Sequence, residues 1–258
     1  MSDALIGHSG FVGSTLLRQR SFDALYRSST IAEIDGQDFD LVVCAGAPAQ
    51  KWIANRDPAA DAEKLDALMR RLAAMSCRRF VLVSTVDVFK APAGADEATE
   101  PEAEGLHAYG LNRLRLERFV AERFPGALIL RLPGLVGPGL RKNVIYDFLN
   151  DNNLSAIDSR GVFQFYPMVN LWADIRRALE LELELLHLTA EPVSVAEVAR
   201  EGFGMEFTQH VVETPAVYDF RSRHAEAFGG AGPFQYSRRE TMLAIRAYAQ
   251  SEPPAPQS

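Results

Sequence analysis

The chain has 258 residues, and its 27 Lys and Arg against 34 Asp and Glu leave a net charge of −7 at pH 7. Because nucleic acids and anionic membrane surfaces are bound through basic patches, this balance disfavours both as partners. The sequence holds no apolar run near the roughly 20 residues of a membrane span, and its start lacks the basic and long apolar parts of a secretory signal, so we expect a cytoplasmic globular protein.

A glycine-rich loop follows the first predicted strand. An apolar run over residues 4–6 leads into Gly7, Gly10 and Gly13, and a helix is predicted over residues 14–20. In this context Gly7 permits the tight turn, Gly10 lets the backbone approach a pyrophosphate, and Gly13 lets the helix pack closely on the strand. The phosphates would lie against the exposed N–H groups of the helix start; a purely structural tight turn is the alternative. The loop residues predicted to bind a dinucleotide are Gly7, Ser9, Gly10, Phe11, Val12 and Gly13.

The second predicted strand, residues 22–26, ends where dinucleotide-binding folds contact the adenosine ribose. Folds that use NAD place an acid there for the 2′-hydroxyl, and those that use NADP place a basic residue. Arg27 and Ser28 stand at this point, without an acid. Arg27 would make a charge-assisted contact to a 2′-phosphate, and its alternative role is that of a solvated surface side chain. We therefore expect both residues to bind the cofactor, with NADP favoured over NAD.

Strands and helices then alternate along the chain. Strands over residues 41–45, 79–84 and 127–132 are predicted as buried parallel strands, and helices are predicted over 57–74, capped by Asp57 before Pro58, and over 106–123. This order implies right-handed crossovers and a parallel sheet covered on both faces, with the ligand site at the carboxyl ends of the strands. The predicted fold class is α/β, with a Rossmann-type doubly wound parallel sheet.

Past residue 139 the alternation loosens into shorter elements. Those predicted are helices over 144–149 and 171–185, strands over 163–166 and 186–188, and helices behind capping boxes at Ser194 and Ser237. The alternating Leu and Glu residues 179–184 are interpreted as the end of the helix that begins at residue 171. We expect three parts: a dinucleotide-binding domain over 1–135, a small C-terminal α/β substrate cap over 136–250 interleaved with the last sheet strands, and a Pro-rich disordered tail over 251–258.

Cysteine and histidine usage agrees with an intracellular chain. Cys44 and Cys77 adjoin apolar, strand-like sequence, and the five His residues are scattered without CxxC or HxxxH spacing. We predict two reduced, largely buried thiols and no metal site.

Three further segments carry a resemblance to a known family. Val-Ser-Thr-Val-Asp-Val-Phe over residues 83–89 follows a strand, Tyr-Gly-Leu-Asn-Arg over 109–113 begins a helix, and an Arg-Leu…Gly-Pro segment spans 131–139. With the glycine loop, these resemble the extended, nucleotide-sugar-modifying form of the short-chain dehydrogenase/reductase superfamily, over nearly the whole chain. The loop and Arg27 are most similar to its NADP-using reductase and epimerase members, and Cys44-Ala45-Gly46 is similar to the family's cofactor-contacting turn.

The resemblance implies roles for individual residues. Tyr109 would be the general acid/base at the reacting carbonyl or carbinol, and a cation one helical turn later would lower its pKa. Thr85 would hydrogen-bond the substrate oxygen, while the nicotinamide carries the hydride. The implied catalytic residues are Thr85, Tyr109 and Arg113, and the implied further cofactor contacts are Ala45, Gly46, Tyr109, Arg113 and Pro133.

The sequence departs from the family pattern at three places. The family nearly always has Lys where this chain has Arg113, which stays charged and can bond ribose hydroxyls but cannot join a proton relay by deprotonating. Ile6 stands where the family commonly has Thr. Dehydratase members carry Asp-Glu directly after the catalytic Thr, and Val86-Asp87 at those places disfavours dehydration.

Two hypotheses for function follow from the motifs. The first is an NAD(P)-dependent reductase or epimerase acting on a nucleotide-sugar or related carbonyl substrate. The second is a catalytically weak or inactive NAD(P)-binding sensor or scaffold, motivated by Arg113 and by a C-terminal region shorter than in most extended members. A homodimer is the family expectation for oligomeric state.

Overall fold

The computed structural model describes residues 2–255. Its helices and strands up to residue 132 are β1 (Asp3–Ile6), α1 (Phe11–Gln19), β2 (Ala24–Tyr26), β3 (Asp38–Cys44), α2 (Lys51–Arg56), α3 (Pro58–Ala73), β4 (Ser76–Thr85), α4 (Ala108–Arg123) and β5 (Leu128–Leu132). They are followed by β6 (Gly134–Val136), α5 (Val144–Asn150), β7 (Val162–Phe163), β8 (Phe165–Pro167), α6 (Leu171–Glu180), β9 (Leu185–His187), β10 (Val193–Ser194), α7 (Val195–Glu197) and α8 (Arg238–Ser251). Within residues 2–255, no helix has the length and apolar content needed to cross a membrane.

The described chain divides into two compact units. The first consists of residues 2–90, 97–132 and 171–187, and the second of residues 91–96, 133–170 and 188–255. The first unit thus takes in α6 and β9, which lie beyond the predicted range 1–135, because β9 pairs in parallel with β5.

The predicted tail lies only partly within the described residues. Ser251 is the last residue of α8, and the Ala255 N–H donates to Asn150 Oδ1 at 2.6 Å. Residues 256–258 lie outside the described part of the chain.

The first unit is built on a six-stranded sheet in the order β2-β1-β3-β4-β5-β9, with every pairing parallel. Central strands of such a sheet are covered on both faces, which is why Leu41–Cys44 and all of β5 are buried. Both runs are apolar except for Arg131 in β5, which pairs with Glu117. The strand order reverses between β1 and β3, so the crevice that doubly wound sheets use for ligands opens at the carboxyl ends of these two strands. The predicted α/β, Rossmann-type class is confirmed.

Local signals in the sequence fix several helix starts. Asp57 caps α3 as predicted, its Oδ1 accepting the Ala60 N–H at 3.1 Å. Both predicted capping boxes form, at Ser194 before α7 and at Ser237 before α8. Each side chain satisfies backbone N–H groups that have no partner within the helix.

The predicted helix over 171–185 is wrong over its last five residues. Helix α6 ends at Glu180, Glu182 adopts a left-handed conformation at φ +52°, and the Leu183 N–H returns to the Ala178 carbonyl. This Schellman-type ending frees the next residues to form β9. The Leu-Glu alternation therefore belongs to a helix end, a turn and the approach to a strand, and not to one amphipathic helix.

The second unit contains two small sheets, β6 with β8 in parallel and β7 with β10 antiparallel. The single strand predicted over 163–166 is therefore two strands, separated at Gln164. This buried side chain donates to the Ala190 and Phe220 carbonyls at 2.6 and 2.7 Å and accepts the Phe220 N–H at 2.6 Å. Phe165 and Tyr166 are core residues of this unit, at 2 % and 0 % exposure.

Candidate active site

The glycine loop joins β1 to α1 at the carboxyl edge of the sheet. Gly7 has φ +84°, and a Cβ there would lie 2.4 Å from the Ala45 carbonyl oxygen, so both conformation and packing require glycine. A Cβ on Gly13 would lie 2.2 Å from the Gly7 carbonyl oxygen. The loop is thereby pressed against the turn that follows β3, where Gly46 in turn packs under Ile6.

Gly10 differs from the other two glycines of the loop. Its φ of −77° suits any residue, and an added Cβ would meet only the Gly7 carbonyl oxygen, at an ordinary 3.5 Å. It precedes α1 as an exposed N-cap without a side-chain cap. The protein's own packing therefore gives no reason for glycine here, whereas the close approach of a ligand to the backbone does.

Arg27 and Ser28 follow β2, and both are exposed. The backbone of Arg27 is held by a turn in which its N–H donates to Thr30 Oγ1 at 3.1 Å. Within residues 2–255, the Arg27 guanidinium makes no hydrogen bond or ion pair, so it is available to an anion at this end of the sheet. The loop residues Ser9, Phe11 and Val12 lie after β1, the strand that pairs with β2, at the start of α1.

Thr85 and Tyr109 are brought together although they are distant in sequence. Thr85 is the last residue of β4, and Tyr109 lies in the first turn of α4 with 7 % of its surface exposed. The segment after Thr85 packs on the start of α4, where the Asp87 carbonyl oxygen lies against Gly110, next to Tyr109. Burial raises the pKa of Tyr109, and the Arg113 and Lys51 charges and the Thr85 hydroxyl act in the opposite direction.

Arg113 is buried in the described part of the molecule, with 2 % of its surface exposed. Its guanidinium pairs with the buried Asp61 carboxylate of α3, donates to the Pro48 carbonyl oxygen, and lies over the Tyr109 ring at 4.1 Å from the centroid. Its Nε is sealed from solvent without a hydrogen-bond partner among the described residues. Asn112 also donates to Asp61, at 2.8 Å. The Arg113 charge is therefore held between the tyrosine ring and the Asp61 carboxylate of α3.

Two groups at this site had no assigned role in the sequence analysis. Asn55, in helix α2 that the pattern did not predict, accepts the Tyr109 N–H through its Oδ1 at 2.9 Å. Lys51, the first residue of the same helix, pairs with Asp87 at 2.7 Å. No local signal marks either residue, because α2 is short and its contacts are with a helix that begins more than fifty residues later.

His107 is the N-cap of α4. Its Nδ1 accepts the Gly110 N–H at 3.0 Å, and its ring centroid lies 6.3 Å from that of Tyr109. Burial lowers the pKa of His107, and the Lys51 charge lowers it further. An accepting Nδ1 needs the neutral ring, so this histidine positions the helix that carries Tyr109.

The structure therefore brings Thr85, Tyr109 and Arg113 into one cluster, and the glycine loop with Ala45 and Gly46 into another, both in the first unit. Pro133 directly follows β5 as the first residue of a segment of the second unit. A separate cavity of about 170 Å³ lies between α2 and α3, lined by Pro48, Ile53 and Asp61 among others. Its lining includes Pro48 and Asp61, the two partners of Arg113, and none of the predicted glycine-loop residues.

Solved structures of the same architecture cover almost the whole chain. RMD from Pseudomonas aeruginosa complexed with NADPH matches with a TM-score of 0.65 at 17 % identity, over 97 % of this chain and 99 % of that one. A dTDP-4-dehydrorhamnose reductase from Yersinia enterocolitica matches at 0.69 and 16 % identity, and a UDP-glucose 4-epimerase from Thermotoga maritima with UDP-glucose at 0.66 and 16 %, both over the same shares of each chain. The chain has the fold of these epimerases and reductases. No protein-family model and no curated protein matches the sequence.

Proposed function

We propose that the protein is an NAD(P)-dependent oxidoreductase or epimerase that acts on a nucleotide-sugar carbonyl or hydroxyl, with Tyr109 as its general acid/base. The observations that carry this proposal are that Tyr109 lies in the first turn of α4 under the Arg113 guanidinium, and that Thr85 ends β4 in the same unit as the glycine loop. Two hydroxyls so placed can bind one substrate oxygen and transfer a proton to it. The second unit would bind the sugar-nucleotide part of the substrate.

The loop residues fit a dinucleotide. Gly10 leaves room at the start of α1 that no side chain of the protein uses, and the helix N–H groups there favour an anion. Arg27 would hold a 2′-phosphate, which favours NADP. When bound, the nicotinamide supplies or accepts the hydride. The NADPH and UDP-glucose seen in the structurally similar proteins support the same classes of cofactor and substrate for this chain.

Tyr109 would transfer the proton to and from the substrate oxygen. Because burial raises the pKa of its phenol, the group is protonated at neutral pH and suited to give its proton to a carbonyl oxygen as that carbonyl is reduced. The Thr85 hydroxyl would hold the same oxygen. In the reverse direction the phenolate must form, and the Arg113 charge 4.1 Å from the ring centroid favours it.

The test compares wild type with Tyr109→Phe for NADPH binding by calorimetry and for NADPH oxidation with a panel of nucleotide-sugar ketones. We expect Tyr109→Phe to keep NADPH affinity and to lose about 10²–10⁴-fold in rate, the usual value of a positioned acid/base. Tyr248→Phe is the matched control, since its buried hydroxyl bonds only the Leu140 carbonyl, at 3.4 Å. Wild-type protein that binds NADPH and oxidises it with no member of the panel would contradict the proposal.

The alternative function, an NAD(P)-binding sensor or scaffold, is favoured by one observation. The cation at position 113 is buried and paired with Asp61. In that case the wild type binds NADPH tightly and turns over no carbonyl substrate, and Tyr109→Phe leaves the NADPH affinity unchanged.

A further inference from the structure

An ion pair lies beside the Thr85–Tyr109 pair. Lys51 Nζ is 2.7 Å from Asp87 Oδ1, with side-chain exposures of 41 % for the lysine and 19 % for the aspartate. The lysine comes from the start of α2, so it reaches the site from the segment that follows β3. Its side chain is partly exposed, unlike that of Arg113, which is buried.

Asp87 is fixed with respect to the reacting groups. Its N–H donates to Thr85 Oγ1 at 3.2 Å, and its carbonyl oxygen packs so closely on Gly110 that a Cβ there would lie 2.1 Å away. Asn55, one helical turn after Lys51 on α2, accepts the Tyr109 N–H at 2.9 Å. The Lys51–Asp87 pair is thereby held near the first turn of α4, which carries the phenol.

The charges of Asp87 and Lys51 have opposite effects on the ionisation of Tyr109. The charged or titratable groups around Tyr109 are Arg113 on its own helix, Asp87 after β4, Lys51 on α2 and His107 at the helix start. A negative charge near the phenol opposes formation of the phenolate, and a cation paired with it offsets that effect. The Asp87 charge raises the pKa of Tyr109, while the Lys51 charge lowers it.

We propose that Lys51 is a positioning residue of this site: by neutralising Asp87 it offsets a negative charge that opposes formation of the Tyr109 phenolate, and so adds to the effect of the Arg113 guanidinium over the ring. This inference rests on the proposed function for its catalytic meaning.

The test measures the ionisation of Tyr109 directly, without cofactor. Tyrosinate absorbance is titrated in the ultraviolet for each variant, with and without an added Tyr109→Phe substitution, and the difference reports the one phenol. We expect Lys51→Met to raise the pKa of Tyr109, Lys51→Arg to preserve it, and Asp87→Asn to lower it. Lys64→Met, which removes an exposed lysine from α3, is the matched control and leaves the titration as in wild type.

A kinetic measurement complements the titration. In the direction in which Tyr109 accepts the proton, we expect kcat of Lys51→Met at neutral pH to fall by about three- to tenfold, because the phenolate loses the charge that offsets Asp87. KM remains unchanged, and the pH profile of kcat moves to higher pH. Lys51→Arg restores kcat and its pH profile to the wild-type values. Thermal melting of each variant identifies any that has lost its fold.

The two proposals fail separately. A Tyr109 titration in Lys51→Met that equals the one in Lys64→Met overturns the role of Lys51, whatever the activity of the wild type. Wild-type protein without turnover overturns the proposed function, and the titration still decides whether Lys51 and Asp87 control the phenol.

Discussion

Two alanine substitutions in the glycine loop separate ligand binding from folding. At Gly13 the new methyl carbon would lie 2.2 Å from the Gly7 carbonyl oxygen, where 3.0 Å is already closer than Cβ atoms are found. At Gly10 it would lie 3.5 Å from the same oxygen, at a φ that alanine adopts freely. The two variants thus differ in the protein's own packing and agree in adding one methyl group to the loop.

The expected effects on stability follow from these distances. Gly13→Ala must push α1 away from the β1 turn, which costs about 1–3 kcal/mol for an overpacked site, and each kcal/mol lowers Tm by about 2–4 °C in a chain of this size. Gly10→Ala gains about 0.4–1 kcal/mol from a less flexible unfolded chain and loses about as much because alanine is a poor N-cap. Its Tm should therefore stay close to that of the wild type.

The assay pairs thermal melting without ligand with NADPH calorimetry. We expect Gly10→Ala to melt like wild type and to bind NADPH at least about tenfold more weakly, a loss of about 1.4 kcal/mol, since the methyl group occupies space left for the pyrophosphate. Wild-type NADPH affinity in Gly10→Ala would refute the argument that a ligand requires this glycine. An unfolding temperature as low as that of Gly13→Ala would refute the packing argument instead.

Three further outcomes are expected. Asp61→Ala leaves the Arg113 charge buried without its partner and should cost about 3–5 kcal/mol in urea unfolding, most of it recovered by Asp61→Leu with Arg113→Met. Because burial holds the pKa of His107 below its ordinary value, the unfolded chain binds that proton more readily, and stability is lost as pH falls below about 6.5; His107→Asn, which keeps a capping side chain, should reduce this loss in urea midpoints measured from neutral to acid pH. Arg27→Ala should weaken NADPH by about tenfold, the range of a charge-assisted contact at an exposed site, and leave NADH binding unchanged by calorimetry.

Much of the first unit could be predicted because its signals are local. Its buried strands are mostly apolar, Asp57 starts α3 with a side chain that reaches the N–H group three residues on, and Gly7 and Gly13 have the spacing that a strand-loop-helix turn demands. The same local signal at Ser237 starts α8 in the second unit. Helix α2 was missed because six residues without a cap carry too little periodicity. The end of α6 was missed because a left-handed Glu182 is not a usual helix terminator.

The sequence by itself determined the α/β class and the place of the glycine loop. It also gave the hypothesis that Thr85 and Tyr109 act together. Tertiary structure alone decided where the charges go: Arg113 lies against Asp61, 52 positions earlier, and Lys51 against Asp87, 36 positions later. The physical reason is that such pairs depend on which crossover places two helices side by side. Hydrophobic periodicity reports that a helix is buried on one face, and it carries no information about the partner that a buried charge on that face will find.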